Sequence, residues 1–115
     1  MSLSKIKEKQ KMNIKTIENF ARMFEVLGSK VRLEILKITT HEEKCVNLIS
    51  KNLKLSQPTV SYHLRLLLNI GLVKRDKTAQ WVRYSLNKEK LSKLLNNFFR
   101  AYGILNIQKE GNSSF

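Results

Sequence analysis

The chain has 115 residues, of which 42% are hydrophobic, and its 22 Lys and Arg against 9 Asp and Glu give a formal net charge of +13. That length predicts one small domain, and the single cysteine excludes an intrachain disulfide. No run of about 18 apolar residues predicts a membrane span, and the first residues lack the apolar segment of a secretory signal, so the expected location is the cytoplasm without membrane contact.

The N-terminal half of the chain predicts three helices after a polar start. Residues 1–13 are lysine-rich and are expected to form a basic, flexible tail. From Ile14, apolar residues recur at helical spacing up to Gly28. Ser29 then caps a second helix, and "VNLISKNL" predicts a short third helix with its apolar residues facing inward, namely Leu48, Ile49 and Leu53.

A fourth helix begins after "KLS", with Ser56 as its N-cap and Pro58 in its first turn. Its predicted buried stripe consists of Val60, Leu64, Leu67 and Leu68. On a helical wheel, Ser61, Tyr62 and Arg65 fall opposite this stripe, and no carboxylate accompanies them.

The alternation in "WVRYSL", preceded by "LVKRDK", predicts a β-hairpin. Its tip has no Asn-Gly or Gly-Gly pair, so we expect a loop longer than two residues. A final helix is predicted from Lys88, and residues 106–115 are expected to form a flexible C-terminal tail.

Basic residues dominate the middle of the chain, where only Asp76 is acidic. The nine basic residues are Lys44, Lys51, Lys54, Arg65, Lys74, Arg75, Lys77, Arg83 and Lys88. Excess cations on one part of a surface attract a polyanion, most often nucleic acid. A general preference for solvated lysine would explain their number but not the missing acids.

The predicted order of elements, mainly α with a small β-hairpin before the last helix, is that of a winged helix-turn-helix domain over residues 14–105. Such a motif places its second helix in the major groove of double-stranded DNA. The side chains of Gln57, Thr59, Ser61 and Tyr62 can exchange hydrogen bonds with bases or phosphates, and Arg65 can pair with guanine or phosphate.

Three segments together resemble the ArsR/SmtB family of repressors, namely "FEVLGSKVRLEILKI", "LSQPTVSYHLRLLLNIGLVKRD" and "WVRYSL". The match runs in register over about two-thirds of the chain. The resemblance implies a dimer that binds inverted-repeat operators, with the hairpin as a wing. By resemblance, the recognition positions are Ser56, Gln57, Thr59, Ser61, Tyr62 and Arg65.

Several of these residues also have a purely structural interpretation. Ser56 is first of all a helix cap, and His63 is expected to be a packed histidine rather than a metal ligand. Trp81 and Tyr84 are expected to pack within the hairpin. Clustering on the wing favours phosphate contact for four cations, namely Lys74, Arg75, Lys77 and Arg83.

The outer helices carry more apolar residues than a small domain is expected to cover alone, which predicts a homodimer. The predicted interface consists of Ile17, Phe20, Phe24, Leu91, Leu94, Leu95, Phe98, Phe99 and Tyr102.

A metal cofactor is not expected, although many members of the family that this chain resembles respond to metals. Where the family has Cys-Val-Cys, this chain has Cys45, Val46 and Asn47, and one thiolate is too few for As(III) or a closed zinc site. The last helix also lacks the Asp and His of the second family site. The nearby set His41, Glu42, Glu43 and Cys45 remains a weaker zinc alternative, and Cys45 remains a thiol-switch alternative.

Two other function classes stay open: a winged-helix module that binds RNA or DNA without sequence preference, and a protein-interaction module. An enzyme is not expected, because the chain has no glycine-rich phosphate loop and no catalytic carboxylate pair or Ser/Cys-His arrangement in a suitable context.

Overall fold

The computed structural model describes residues 3–104 of the chain, with side chains from Ile14 onward. Its elements are, in order, α1 (Leu3–Leu27), α2 (Lys30–Ile38), α3 (Val46–Leu53), α4 (Gln57–Asn69), β1 (Val73–Thr78), β2 (Trp81–Leu86) and α5 (Lys88–Ala101). This order confirms the predicted winged helix-turn-helix fold. Within the described range, no helix has the length and apolar character needed to cross a bilayer.

The first helix begins at Leu3 rather than at Ile14, so it extends through most of the segment predicted as a tail. The reason is local, because Lys, Glu, Gln and Met are good helix formers and no Gly or Pro precedes Gly28. Flexibility of this end stays a prediction, and the predicted C-terminal tail, 106–115, lies outside the described residues.

The core lies where α2, α3 and α4 meet the base of the hairpin. Its buried residues are Ile35, Leu36, Ile49, Val60, Leu64, Leu67, Leu72 and Val73. Burying each such side chain contributes about 1.5–3 kcal/mol relative to leaving it in water. The prediction that Leu48 faces inward was wrong, since it is 48% exposed, whereas the prediction for Ile49 is confirmed, since it is fully buried. Leu53 packs against the core.

The turn between α3 and α4 holds Lys54 in a left-handed conformation, with φ 56°. The hydroxyl of Ser50 donates a hydrogen bond to the carbonyl of Leu55, and the Leu55 amide donates to the Ser50 carbonyl at 3.1 Å. These bonds close the turn and set the angle at which α4 leaves it.

Replacing Lys54 by glycine is expected to raise the free energy of unfolding by roughly 0.5–1 kcal/mol, because glycine adopts positive φ without the Cβ clash. Urea denaturation measures the effect. Lys51→Gly, inside α3, is the control and should lower stability by about 1 kcal/mol. If both variants lost the same free energy of unfolding, the side chain of Lys54 would not be a source of strain in the turn.

The hairpin pairs Val73 with Leu86 at its base and Thr78 with Trp81 at its tip, which leaves a two-residue loop. The prediction of a longer loop was wrong. Ala79 takes positive φ (57°) in place of the glycine or asparagine that such a turn usually has. Pairing along the whole hairpin therefore prevails over the local preference of one alanine.

Backbone hydrogen bonds attach the hairpin to the segments that connect the helices. Lys44 forms a bridge with Tyr84, with both N–H···O distances 2.8 Å. The Leu86 amide donates to the carbonyl of buried Thr39 at 3.0 Å, and the Asn87 amide donates to that of Leu72 at 2.8 Å. The base of the hairpin is thus fixed to the core, and its tip projects into solvent.

Candidate nucleic-acid interface

The start of α4 is an exposed, well-capped helix end. The Ser56 hydroxyl accepts from the Thr59 amide at 3.3 Å and lies 2.8 Å from the Thr59 hydroxyl, as expected for an N-cap. Pro58 occupies the first turn, where its missing N–H removes no helical bond. The side chains of Ser56, Gln57 and Thr59 are exposed, so this end can approach a phosphate or a base edge.

Further along α4, the predicted recognition positions differ in accessibility. Tyr62 is 50% exposed and Arg65 is also exposed, whereas Ser61 is half-buried. Val60 and Leu64 on the opposite face are buried. The helix therefore presents an aromatic ring and a guanidinium to solvent, and Ser61 offers less surface to a partner than the sequence pattern indicated.

One contact between α3 and α4 is not indicated by any local pattern in the sequence. The Gln57 amide nitrogen donates to the Asn47 side-chain oxygen at 3.1 Å, and both residues are exposed. Asn47 thus orients one of the predicted recognition residues. The two residues are ten positions apart on different helices, and only the packing of α3 on α4 brings them together.

The four predicted wing cations, Lys74, Arg75, Lys77 and Arg83, are all exposed, but they do not form one cluster. Cross-strand partners share a face of a sheet, so Arg75 and Lys77 lie on the face of Tyr84 and Val82. Lys74 and Arg83 lie on the other face, where Asp76 is paired with Arg83. The first face therefore carries two cations. The second face carries two cations and, between them, one carboxylate.

His63, on the edge of α4, is half-buried, which agrees with the prediction of a packed histidine. Its Nδ1 lies 3.0 Å from the guanidinium Nη1 of Arg32 on α2. Burial, and then the charge of Arg32, lowers the pKa of His63 below its ordinary value of 6.5. No local pattern in the sequence indicates this contact of Arg32.

The alternative zinc set His41, Glu42, Glu43 and Cys45 is not assembled. Glu42 instead forms an ion pair with Lys44 (2.5 Å), whose hydrogen bond and charge lower the pKa of the Glu42 carboxyl. Cys45 is the half-buried residue that precedes α3. Among the described residues, no three His, Cys, Asp or Glu side chains converge as metal ligands would.

Comparison with known proteins agrees with this geometry. Residues 29–75, from the start of α2 into β1, match the model of the bacterial regulatory protein family arsR. A transcriptional regulator of the helix-turn-helix type from Methanocaldococcus jannaschii is 34% identical over 68% of this chain and 89% of its own length. The chain belongs to the ArsR family. It is therefore a DNA-binding transcriptional regulator, and its family is not one of enzymes.

Other relatives of this chain differ in their regulatory effect. The arsenical resistance operon repressor of Staphylococcus xylosus is 30% identical over 82% of this chain and 86% of its own length. The transcriptional activator HlyU of Vibrio cholerae is 33% identical over 79% of this chain and 88% of its own length.

Solved structures share the fold of this ArsR-family chain. An ArsR-like regulator from a Rhodococcus species superposes with a TM-score of 0.70 at 25% identity, covering 76% of this chain and 83% of that one. A homodimeric winged helix-turn-helix DNA-binding domain from Mycobacterium bovis gives 0.61 at 23% identity, covering 76% and 81%.

In this ArsR-family chain, α1 and α5 pack on each other through aromatic rings. Phe98 contacts Phe20 and Phe24 edge-on, with ring centroids 5.3 and 4.9 Å apart, and Tyr102 lies 4.8 Å from Phe98. Phe20 and Leu94 are buried within the single chain. Part of the predicted interface is thus already covered without a partner.

Other members of that predicted set remain open to solvent. Ile17 is 51%, Leu95 36% and Tyr102 55% exposed, while Leu91 packs against the core and Phe99 is half-buried. A cleft of about 540 Å³ lies between α1 and α5. That cleft is lined mostly by polar side chains. The α1–α5 face, defined as Ile17, Leu95 and Tyr102, is an exposed apolar surface available to a partner.

Proposed function

We propose that this ArsR-family regulator is a homodimeric repressor that reads an inverted-repeat operator with α4 while the hairpin holds phosphate, in the cytoplasm where the DNA lies. The observation that carries the proposal is the exposed face of α4. Its Gln57, Thr59, Tyr62 and Arg65 form hydrogen-bonding groups without a carboxylate, beside a cationic wing.

The homodimer is supported by the α1–α5 face. A single chain leaves apolar side chains exposed there, and an isologous contact would bury the same patch on both copies. The Mycobacterium bovis domain of the same fold is itself described as homodimeric. Two α4 helices related by a two-fold axis require two half-sites of opposite orientation, which is an inverted repeat.

Repression is favoured over activation because relatives from Bacillus subtilis, Staphylococcus xylosus and Staphylococcus aureus are arsenical resistance operon repressors. HlyU shows that activation also occurs among the relatives.

Selection of bound duplexes from a random DNA pool tests this function. We expect a preferred sequence with two-fold symmetry that is bound about 10³-fold or more tightly than scrambled duplex. Enrichment without a common sequence would contradict the proposal and favour an architectural or RNA-binding module. Weak, sequence-blind binding with tight capture of an acidic protein would favour an interaction module.

We propose further that α3 does not sense a metal. Asn47 stands where a second thiolate would be needed, and its side chain is engaged with Gln57. One equivalent of As(III), Cd²⁺ or Zn²⁺ is therefore expected to leave operator affinity unchanged in a fluorescence anisotropy titration. A tenfold loss that disappears in Cys45→Ser would contradict this expectation, and Asn52→Ala, at an exposed position of α3, is a control for substitution nearby.

A further inference from the structure

The side chain of Arg32 joins three helices behind the recognition surface. Its Nε donates to the Val26 carbonyl near the end of α1 at 2.5 Å, and its Nη1 lies 3.0 Å from His63 Nδ1 on α4. A guanidinium has donors and no acceptor. His63 Nδ1 must therefore accept, so the ring is neutral and carries its proton on Nε2.

The position of Arg32 in its own helix gives no separate reason for a cation. It lies in the first turn of α2, where a positive charge opposes the helix dipole, and that turn contains no acid to offset it. The contacts that compensate for this placement are those with Val26 and His63. Arg32 thus stabilises the packing of α2 against α1 and α4 rather than α2 itself.

One member of the pair contacts an exposed residue of the recognition helix. The His63 ring contacts the ring of Tyr62 edge-on, with centroids 5.2 Å apart and planes at 68°. Tyr62 is half exposed on the face assigned to DNA. Any rotation of the His63 ring therefore moves the support of a side chain that is placed to read DNA.

We propose that Arg32 and His63 form a positioning pair that orients Tyr62 and α4 for sequence reading, and that protonation of His63 breaks the pair and lowers sequence preference. A protonated ring has no acceptor and places a second cation beside the guanidinium. This inference rests on the proposed function, because it concerns how α4 reads its operator.

The groups around the ring set the direction of the pH effect. Arg32 on α2 is the charged group that acts on His63, Tyr62 is its titratable neighbour on α4, and α1 contributes only the uncharged Val26 carbonyl through Arg32. Within the described part of the chain, no charge from α3 or β1 contributes to the shift.

Because burial and Arg32 lower the pKa of His63, the neutral ring stabilises the folded state fully above the ordinary value of 6.5. That contribution is lost as the pH falls from 6.5 through the lowered pKa. The pair is therefore intact at neutral pH and opens on acidification.

The experiment compares affinity for the selected operator and for scrambled duplex at one pH above and one pH below that at which the His63 ring titrates in nitrogen-15 NMR spectra. In the wild type, we expect the operator-to-scrambled ratio to fall about tenfold on acidification, the size of one lost charge-assisted hydrogen bond. A general gain of positive charge would instead raise affinity for both duplexes and leave the ratio unchanged.

Three variants isolate the pair. His63→Gln keeps a neutral acceptor at every pH, so its ratio should not change with pH. Arg32→Met should show the low ratio at both pH values. His41→Gln removes the other histidine, which is exposed on the loop after α2, and should behave as the wild type does.

The proposed positioning pair would be overturned if the operator-to-scrambled ratio of the wild type did not change with pH. It would also be overturned if the ratio of His63→Gln still fell on acidification. Neither result would affect the proposed function. A wild type without preference at neutral pH would overturn the proposed function and the pair's role with it. Should Arg32→Met fail to fold by circular dichroism, nitrogen-15 NMR of His63 decides. A proton on Nδ1 at neutral pH contradicts the pair, and a proton on Nε2 alone supports it.

Discussion

The double variant Ile17→Lys, Leu95→Lys is expected to sediment as a monomer at micromolar concentration, where the wild type is a dimer. Both side chains are exposed on the α1–α5 face, so lysine costs little within one chain but places like charges in an isologous contact. Operator affinity should fall by about 10²-fold or more, because the two protomers are no longer joined and each binds its half-site alone.

Ile17 and Leu95 are suited to this test because neither is buried within the single chain. Phe98 belongs to the predicted interface, but its ring contacts Phe20 and Phe24 of the same chain, so a charge there would disturb the fold before it disturbed a dimer. Leu33→Lys is the matched control, since Leu33 is 51% exposed on α2 and outside the α1–α5 face. A double variant that remains dimeric, with unchanged circular dichroism, would place the interface elsewhere.

Substitutions on α4 are expected to lower sequence preference, and substitutions on the wing are expected to lower salt dependence. Gln57→Ala and Tyr62→Ala remove no charge, so each should cost about 1–3 kcal/mol on the selected operator and little on scrambled duplex. Ser61→Ala should cost less than either, because Ser61 is half-buried. Arg65→Ala should show both effects, since a guanidinium binds guanine or phosphate.

Wing variants should weaken binding to all duplexes alike. Each lost phosphate contact lowers the slope of log affinity against log salt by about one unit. The pair Arg75→Gln, Lys77→Gln should therefore lower the slope by about two. The pair Lys74→Gln, Arg83→Gln should lower it by less, because Asp76 lies opposite Arg83 on that face and offsets part of its charge.

Salt titrations of each variant on the operator and on scrambled duplex measure both quantities. Lys88→Gln, at the exposed start of α5 beyond the hairpin, is a control for the loss of one surface cation. Helix variants that lose affinity equally on both duplexes would show that α4 does not read sequence. Wing variants with an unchanged slope would show that the hairpin does not contact phosphate.

Local and periodic features of the sequence were sufficient to predict the order and type of the elements. Helical spacing of apolar residues, the Ser29 and Ser56 caps and the alternation of β2 are each confirmed by the structure. Each of these features depends on residues close together in the chain, so each can be recognised from the sequence of a single element. The exposed, acid-free face of α4 was predictable for the same reason, because one helix contains all its residues.

The tertiary structure alone decided which residues from different elements meet. The Asn47–Gln57 and Arg32–His63 contacts join residues 10 and 31 positions apart, and no periodicity encodes them. The division of the wing cations depends on strand register, because a shift by one residue exchanges the faces. The two-residue loop at Ala79 formed against local preference, because hydrogen bonds along the whole hairpin outweigh one strained residue.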